Sequence, residues 1–303
     1  MATGKGGPES GRRFTIVPRG DFSLGAAASF GFGPREVEAT ADGSPMRMAF
    51  CVDGYRGHAG VLLRQDAGGV HGEVAGDADI EAVRDQVARA LSLDGDGDAW
   101  LAVGERDPVI DRLQRTYPGL RPVLFYSPYE AAAWAIISAR RPRAQALDLH
   151  ARLCAEYGAA FRLEGEHSYA WPTPQRVLEL EPSQGLSDER LRRLHGVAGA
   201  ALEGSLDPAR LRILDPAQAD GEMRRLRGIG PFYAELIVVR ATGVTDALPV
   251  QEPKVRASAA RFYGLDAPPS PQAFKALAEP WRPFRTWAAV LLRVASDRAE
   301  TPN

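Results

Sequence analysis

"LRGIGPFYAELI", residues 226–237, sets two glycines around one isoleucine, then a proline, two aromatics and an amphipathic run with helical spacing. A helix closing at Leu226 or Arg227 needs residues that tolerate positive φ. Gly228 and Gly230 do so, and they leave the hairpin backbone bare of side chains. Pro231 suits the first position of a second helix, whose first amides have no intrahelical partner. A bare hairpin running into a helix N-terminus is a ready anion site, so a phosphate can approach the backbone without a side-chain reader. A tight turn between two packed helices would look the same, and the rest of the chain has to decide between them.

The chain has 303 residues, 45% hydrophobic and 25% charged, a globular composition long enough for about two domains. No stretch approaches the roughly 20 apolar residues of a membrane span. The opening "MATGKGGPESGRR" lacks the apolar segment of a secretory signal. A cytoplasmic protein with a short disordered tail, residues 1–12, is expected. Two cysteines, Cys51 and Cys154, cannot supply a four-thiolate zinc or iron–sulfur site. The chemistry is therefore expected to use no resident metal and no cofactor, with a monovalent cation at the hairpin left open. Net charge is −2, but Arg190 to Arg298 holds 17 Lys/Arg against 11 Asp/Glu, +6, which leaves −8 for the remainder. Such a split suits a polyanion-binding half, and solvated helix faces would also produce it.

Texture changes along the chain. Residues 14–76 carry short β-like runs, "FTIV", "MRMAFCVD" and "GVLLRQ", punctuated by Gly, Asp and Pro. "ADIEAVRDQVARALSL" then has helical periodicity, with Ile80, Val83, Val87 and Leu91 on one face. Residues 13–108 thus read as a small α+β antiparallel-sheet domain. From 109 to 303 the pattern is helix after helix. "SPYEAAAWAII" begins with a capping box, Ser127 and Glu130, and with Pro128 at the first helical position. "TPQRVLEL" and "LSDERLRRL" also open on hydroxyl caps.

"LRGIGPFYAELIVVRATGVTDALP" resembles the helix-hairpin-helix of base-excision DNA glycosylases, and most closely the 3-methyladenine DNA glycosylase II branch. "GLRPVLFYSPYEAAAWAIISARR" and "GLSDERLRRLHGVAGA" upstream are similar to helices of that family's core, as is "WRPFRTWAAVLLRVA" downstream to its closing helix. The resemblance covers nearly the whole chain. It implies a mainly α fold, a glycosylase core of two helical subdomains preceded by the small α+β sheet domain. It also implies base flipping, cleavage of the N-glycosidic bond, and duplex DNA with damaged bases as partner of a monomeric, membrane-free protein. A base made cationic by alkylation stacks well on electron-rich rings. Candidates for its pocket are Tyr126, Tyr129, Trp134, Phe232, Tyr233 and Trp281, two of them expected to touch a base and the others to pack the core.

Bifunctional relatives carry a nucleophilic lysine two residues after the second hairpin glycine. Here that position is Phe232, which implies a monofunctional enzyme using water. The family's catalytic aspartate lies two residues past a proline that follows the second hairpin helix. In "DALPVQEPKVR" this is Gln251, a neutral residue. Glu252 beside it, just ahead of Pro253, would sit at a helix N-terminus and is the expected carboxylate, while Asp246 is expected to be structural. The family's stack-filling glutamine and apolar residue are replaced by Ala139 and Arg140. Arg140 can fill the stack through its planar guanidinium, or Arg140, Arg141 and Arg143 can grip phosphates. Gly228, Ile229, Gly230 and Lys254 complete the expected DNA contacts. Two rivals stay open: a catalytically retired damage-recognition protein of the same fold, and a protein-interaction scaffold.

Overall fold

A computed structural model describes residues 12–31, 33–34, 44–183 and 185–300. The expected tail lies outside these residues apart from Arg12, whose guanidinium donates to the carbonyls of Gly76 and Ala78. The chain opens with β1 (Arg13–Ile16), α1 (Leu24–Ala28), β2 (Met46–Cys51), β3 (His58–Asp66) and β4 (Gly69–Ala75). These strands form one antiparallel sheet in the order β1-β4-β3-β2, with Ile16 opposite Val70, Val61 opposite Val74 and Met48 opposite Val61. Three helices follow, α2 (Ile80–Ala90), α3 (Gly97–Leu101) and α4 (Pro108–Thr116). Val83, Val87 and Leu91 are fully buried and Ile80 partly so, as their 3.6-residue spacing predicts.

The second half begins with α5 (Pro128–Ser138) and α6 (Arg143–Tyr157). Ser127 Oγ accepts from Glu130 N at 3.1 Å, and the Glu130 side chain accepts from Cys51 N at 3.2 Å, which ties α5 to the sheet. A two-stranded ribbon, β5 (Ala159–Leu163) and β6 (Glu166–Ala170), interrupts the expected run of helices. Glu164 and Gly165 both have positive φ, the pair a tight hairpin requires. The ribbon lies on the main sheet, where a Cβ on Gly60 would be 2.6 Å from Phe161 Cγ. Then come α7 (Pro174–Leu178), α8 (Asp188–Leu202), α9 (Pro208–Ile213), α10 (Pro216–Arg224), α11 (Pro231–Ala241), α12 (Pro253–Tyr263), α13 (Pro271–Leu277), a 3₁₀ turn (Glu279–Trp281) and α14 (Arg285–Glu300).

Packing does not follow chain order. One core joins the sheet and α2–α4 to α12–α14, through Phe50, Leu63, Val87, Val255, Phe274, Trp281 and Leu292. The other gathers α5–α11 around Ile136, Ile137, Leu194, Met223 and Ile237. The division at 108/109 marks a change of texture along the chain, whereas the last three helices return to the first core. A cleft runs where the two cores meet. Among the described residues no helix is long and apolar enough to cross a membrane.

Candidate active site

The hairpin lies between α10 and α11. Gly228 has φ +94°, and a Cβ there would sit 2.7 Å from Arg193 Cδ and 3.0 Å from Ile136 Cδ1. Conformation and space both demand glycine. Gly230 corrects an expectation: at φ −88° and ψ 177° it needs no positive φ, and nothing lies within 4 Å of its Cβ position. Its bareness provides outward clearance instead. Ile229 is buried at 5% exposure, so it offers only its backbone. Gly230 caps α11 without a side-chain bond, which leaves the first helical amides to an outside acceptor.

A hydrogen bond of 3.2 Å between Ser138 Oγ and Tyr233 Oη joins the end of α5 to the start of α11, and so sets the Ala139–Arg140 turn beside the hairpin. Arg140 is exposed and holds φ +53°, a conformation that costs a non-glycine residue about 1–2 kcal/mol. Arg190 Nη2 donates to Ala139 O at 2.8 Å, and Arg141 Nη2 donates to Gly185 O at 2.5 Å. Burial, and then the neighbouring Arg190 and Arg152 cations, hold the Arg141 pKa below its ordinary value. Arg143 is exposed and reaches Gly33 O at 3.3 Å, while Lys254 is exposed on α12. Arg140, Arg141 and Arg190 thus make a positive edge next to the hairpin.

The cleft, about 350 Å³ including its open mouth, is lined from α11 by Phe232, Leu236, Val239 and Arg240, and from the other side by Pro249, Glu252, Val255, Ala289, Val290 and Arg293. Glu252 is the N-cap of α12 but caps nothing with its side chain, which turns into the cleft. Its Oε1 lies 3.7 Å from Arg293 Nε, and Arg293 also pairs with Asp297. Burial raises the Glu252 pKa, while Arg240, Arg293 and Lys254 pull it back. Gln251 is exposed and lines no part of the cleft; its backbone N–H donates to Glu235 Oε2 at 2.8 Å. Glu235 also accepts from Val250 N at 2.9 Å and so clamps the turn that delivers Glu252. Burial pushes its pKa up to about 7 against those two donors. Asp246 bonds the Arg282 and Arg285 guanidiniums, at 2.8 and 2.6 Å, and ties the segment before α12 to α14.

Most of the six candidate rings pack in the cores. Tyr129 and Trp281 are fully buried in the two cores; Tyr129 Oη donates to Pro172 O at 3.0 Å, and Trp281 Nε1 to Asp107 Oδ2 at 2.8 Å. Trp134 is buried against His150, and Tyr126 packs on Phe50 with ring centroids 5.1 Å apart. Tyr233 is half-buried, bonded to Ser138. Phe232, at 42% exposure, is the one candidate ring that lines the cleft. The reason is ordinary: large aromatics in apolar helices stabilise by about 2–3 kcal/mol each when buried, and the cores take them first.

No family model matches the chain. The DNA-3-methyladenine glycosylase of Bacillus subtilis is 22% identical over 207 residues, 67% of this chain and 68% of its own length. A probable bifunctional transcriptional activator/DNA repair enzyme AlkA of Mycobacterium tuberculosis is 27% identical over 217 residues, 69% of this chain, which spans 42% of that longer protein. The solved structure of the 3-methyladenine DNA-glycosylase from Archaeoglobus fulgidus matches 96% of this chain and 99% of its own, with TM-score 0.71 and 21% identity. The chain shares the fold of that 3-methyladenine DNA-glycosylase.

Arg240, Arg293 and Glu235 all border the cleft or its supporting turn, and sequence reading passed over them. The signal was a charge inside an apolar helical run: Arg240 in "LIVVRA", Arg293 in "AAVLLRVA" and Glu235 in "FYAELIVV".

Proposed function

We propose that this protein is a base-excision glycosylase that extrudes an alkylated purine from duplex DNA and hydrolyses its N-glycosidic bond with water, without a lyase step. The hairpin amides and the Arg140–Arg141–Arg190 edge hold backbone phosphates. Extrusion costs a few kcal/mol of stacking and pairing, least at a damaged pair. As the bond from sugar to base lengthens, positive charge grows on the sugar. The Glu252 carboxylate faces that charge and accepts a proton from the attacking water, while the base leaves with the bonding electron pair. The observation that carries this reading is Glu252 itself, the one carboxylate on a cleft wall that holds no lysine among its lining residues. The test is incubation with methylated duplex: release of free base together with an abasic site and no strand nick is expected, and nicking in step with release would overturn the monofunctional assignment. The Arg293–Glu252 contact favours a second reading, a recognition protein whose carboxylate is engaged, and binding without any release would select it.

A further inference from the structure

The cleft beside Glu252 is a poor host for a cation. Leu236, Val239, Val255 and Val290 make its walls aliphatic, and Phe232 at the mouth supplies one ring face where a cationic base would want several. Two guanidiniums, Arg240 and Arg293, stand against the single carboxylate of Glu252. Arg240 is fixed by its donation to Val123 O at 2.7 Å. Arg293 is held through side chains, with Glu252 at 3.7 Å on its inner side and Asp297 on its outer side. Asp297 is 55% exposed and Arg293 20%, so the pair bridges the rim and the interior. The Arg293 guanidinium borders the cleft beside Glu252. Its planar fork of donors suits acceptor atoms on a purine edge.

We propose that Arg293 selects the flipped base by charge, admitting alkylated purines that stay neutral and present acceptors, and disfavouring those made cationic by alkylation at a ring nitrogen. The proposal rests on the glycosylase reading above and sharpens its substrate class. It is tested with duplexes that differ only in the lesion, the neutral etheno adduct of adenine or cationic 7-methylguanine, in single-turnover base release at one salt concentration. The wild type should favour the neutral lesion by roughly tenfold or more, the scale of one charge interaction at a few ångströms in a half-buried site. Arg293→Met, shown to be folded by its own thermal unfolding transition, should bring the ratio towards one, and Arg293→Lys, which keeps the charge, should preserve it. A wild type faster on 7-methylguanine, or a ratio that Arg293→Met leaves unchanged, overturns the proposal. If neither base is released, the glycosylase reading fails separately, and the ratio of dissociation constants for the two duplexes decides on charge selection by the same criteria.

Discussion

At the cleft wall Glu252 has to be ionised to act on a developing sugar cation, and its surroundings pull both ways. Burial favours the protonated acid, whereas Arg240, Arg293, Lys254 and the N-terminus of α12 favour the carboxylate. Burial wins, so base release should fall as pH drops through a value above the usual carboxylate range, and Glu252→Gln should abolish that acid limb. The same substitution should slow release by roughly 10²–10³, the cost of one electrostatic stabiliser, with little change in affinity for an abasic-site duplex. A full-rate variant would move the chemistry elsewhere. Glu235 makes a separate prediction about folding. Its pKa rises from 4.5 to about 7 on folding, so the folded chain holds a proton the unfolded chain has lost, and stability declines as pH rises across that window. The full swing is about 3 kcal/mol at most. Glu235→Gln should flatten the slope of urea-unfolding stability between pH 5 and pH 8, although it leaves one of the Val250 and Gln251 amides without an acceptor and lowers stability at every pH. An unaltered slope would assign the titration to another group.

The hairpin between α10 and α11 separates two roles that one glycine pattern had fused. Gly228→Ala forces a side chain into a left-handed backbone and against Arg193 and Ile136, so a loss of about 1–3 kcal/mol in thermal or chemical unfolding is expected. Gly230→Ala meets open space at an ordinary φ, so the fold should keep its stability, while DNA affinity should drop equally for damaged and undamaged duplexes because only a phosphate approach is blocked. Equal affinity in the Gly230→Ala protein would remove the phosphate role. Most elements were legible at this scale because their signals are local. Ser127, Thr173 and Ser187 cap α5, α7 and α8 as their sequences announce, and Pro128, Pro174 and Pro231 open α5, α7 and α11. The β5–β6 ribbon was not legible: five residues a side, "AAFRL" and "EHSYA", are too short to carry a pattern and owe their strand form to docking on Gly60 of β3.

The two cores meet along a line that no local pattern marks. Trp281, Phe274 and Val255 lie late in the chain, yet pack with Phe50 and Leu63 of the sheet, and this return places α12 and α14 opposite α11. Glu252 therefore faces Phe232 and Arg240 across the cleft, a juxtaposition built from sequence separations that amphipathic periodicity cannot report. Tyr126, Tyr129, Trp134 and Trp281 pack in the cores for the same reason, since each belongs to an apolar stretch whose partner lies in a distant segment. Charge, by contrast, was legible as an excess of +6 over Arg190 to Arg298, and the fold sets part of it, with Arg140 and Arg141 from α5–α6, beside the hairpin. Each phosphate contact releases counterions, so log affinity should fall linearly with log salt at about −0.9 per contact. Neutralising Arg140, Arg141 or Arg190 one at a time should each reduce the slope by roughly one contact without changing the preference among lesions, because phosphates carry no sequence or damage information. Arg190→Gln tests geometry as well, because it also loses the donor to Ala139 O that supports the strained Arg140 turn, so its affinity loss should exceed that of Arg141→Gln at equal change in slope. Titrations of one duplex between about 50 and 200 mM salt measure both quantities, and a wild-type affinity indifferent to salt over that range would leave the protein without a DNA-binding edge.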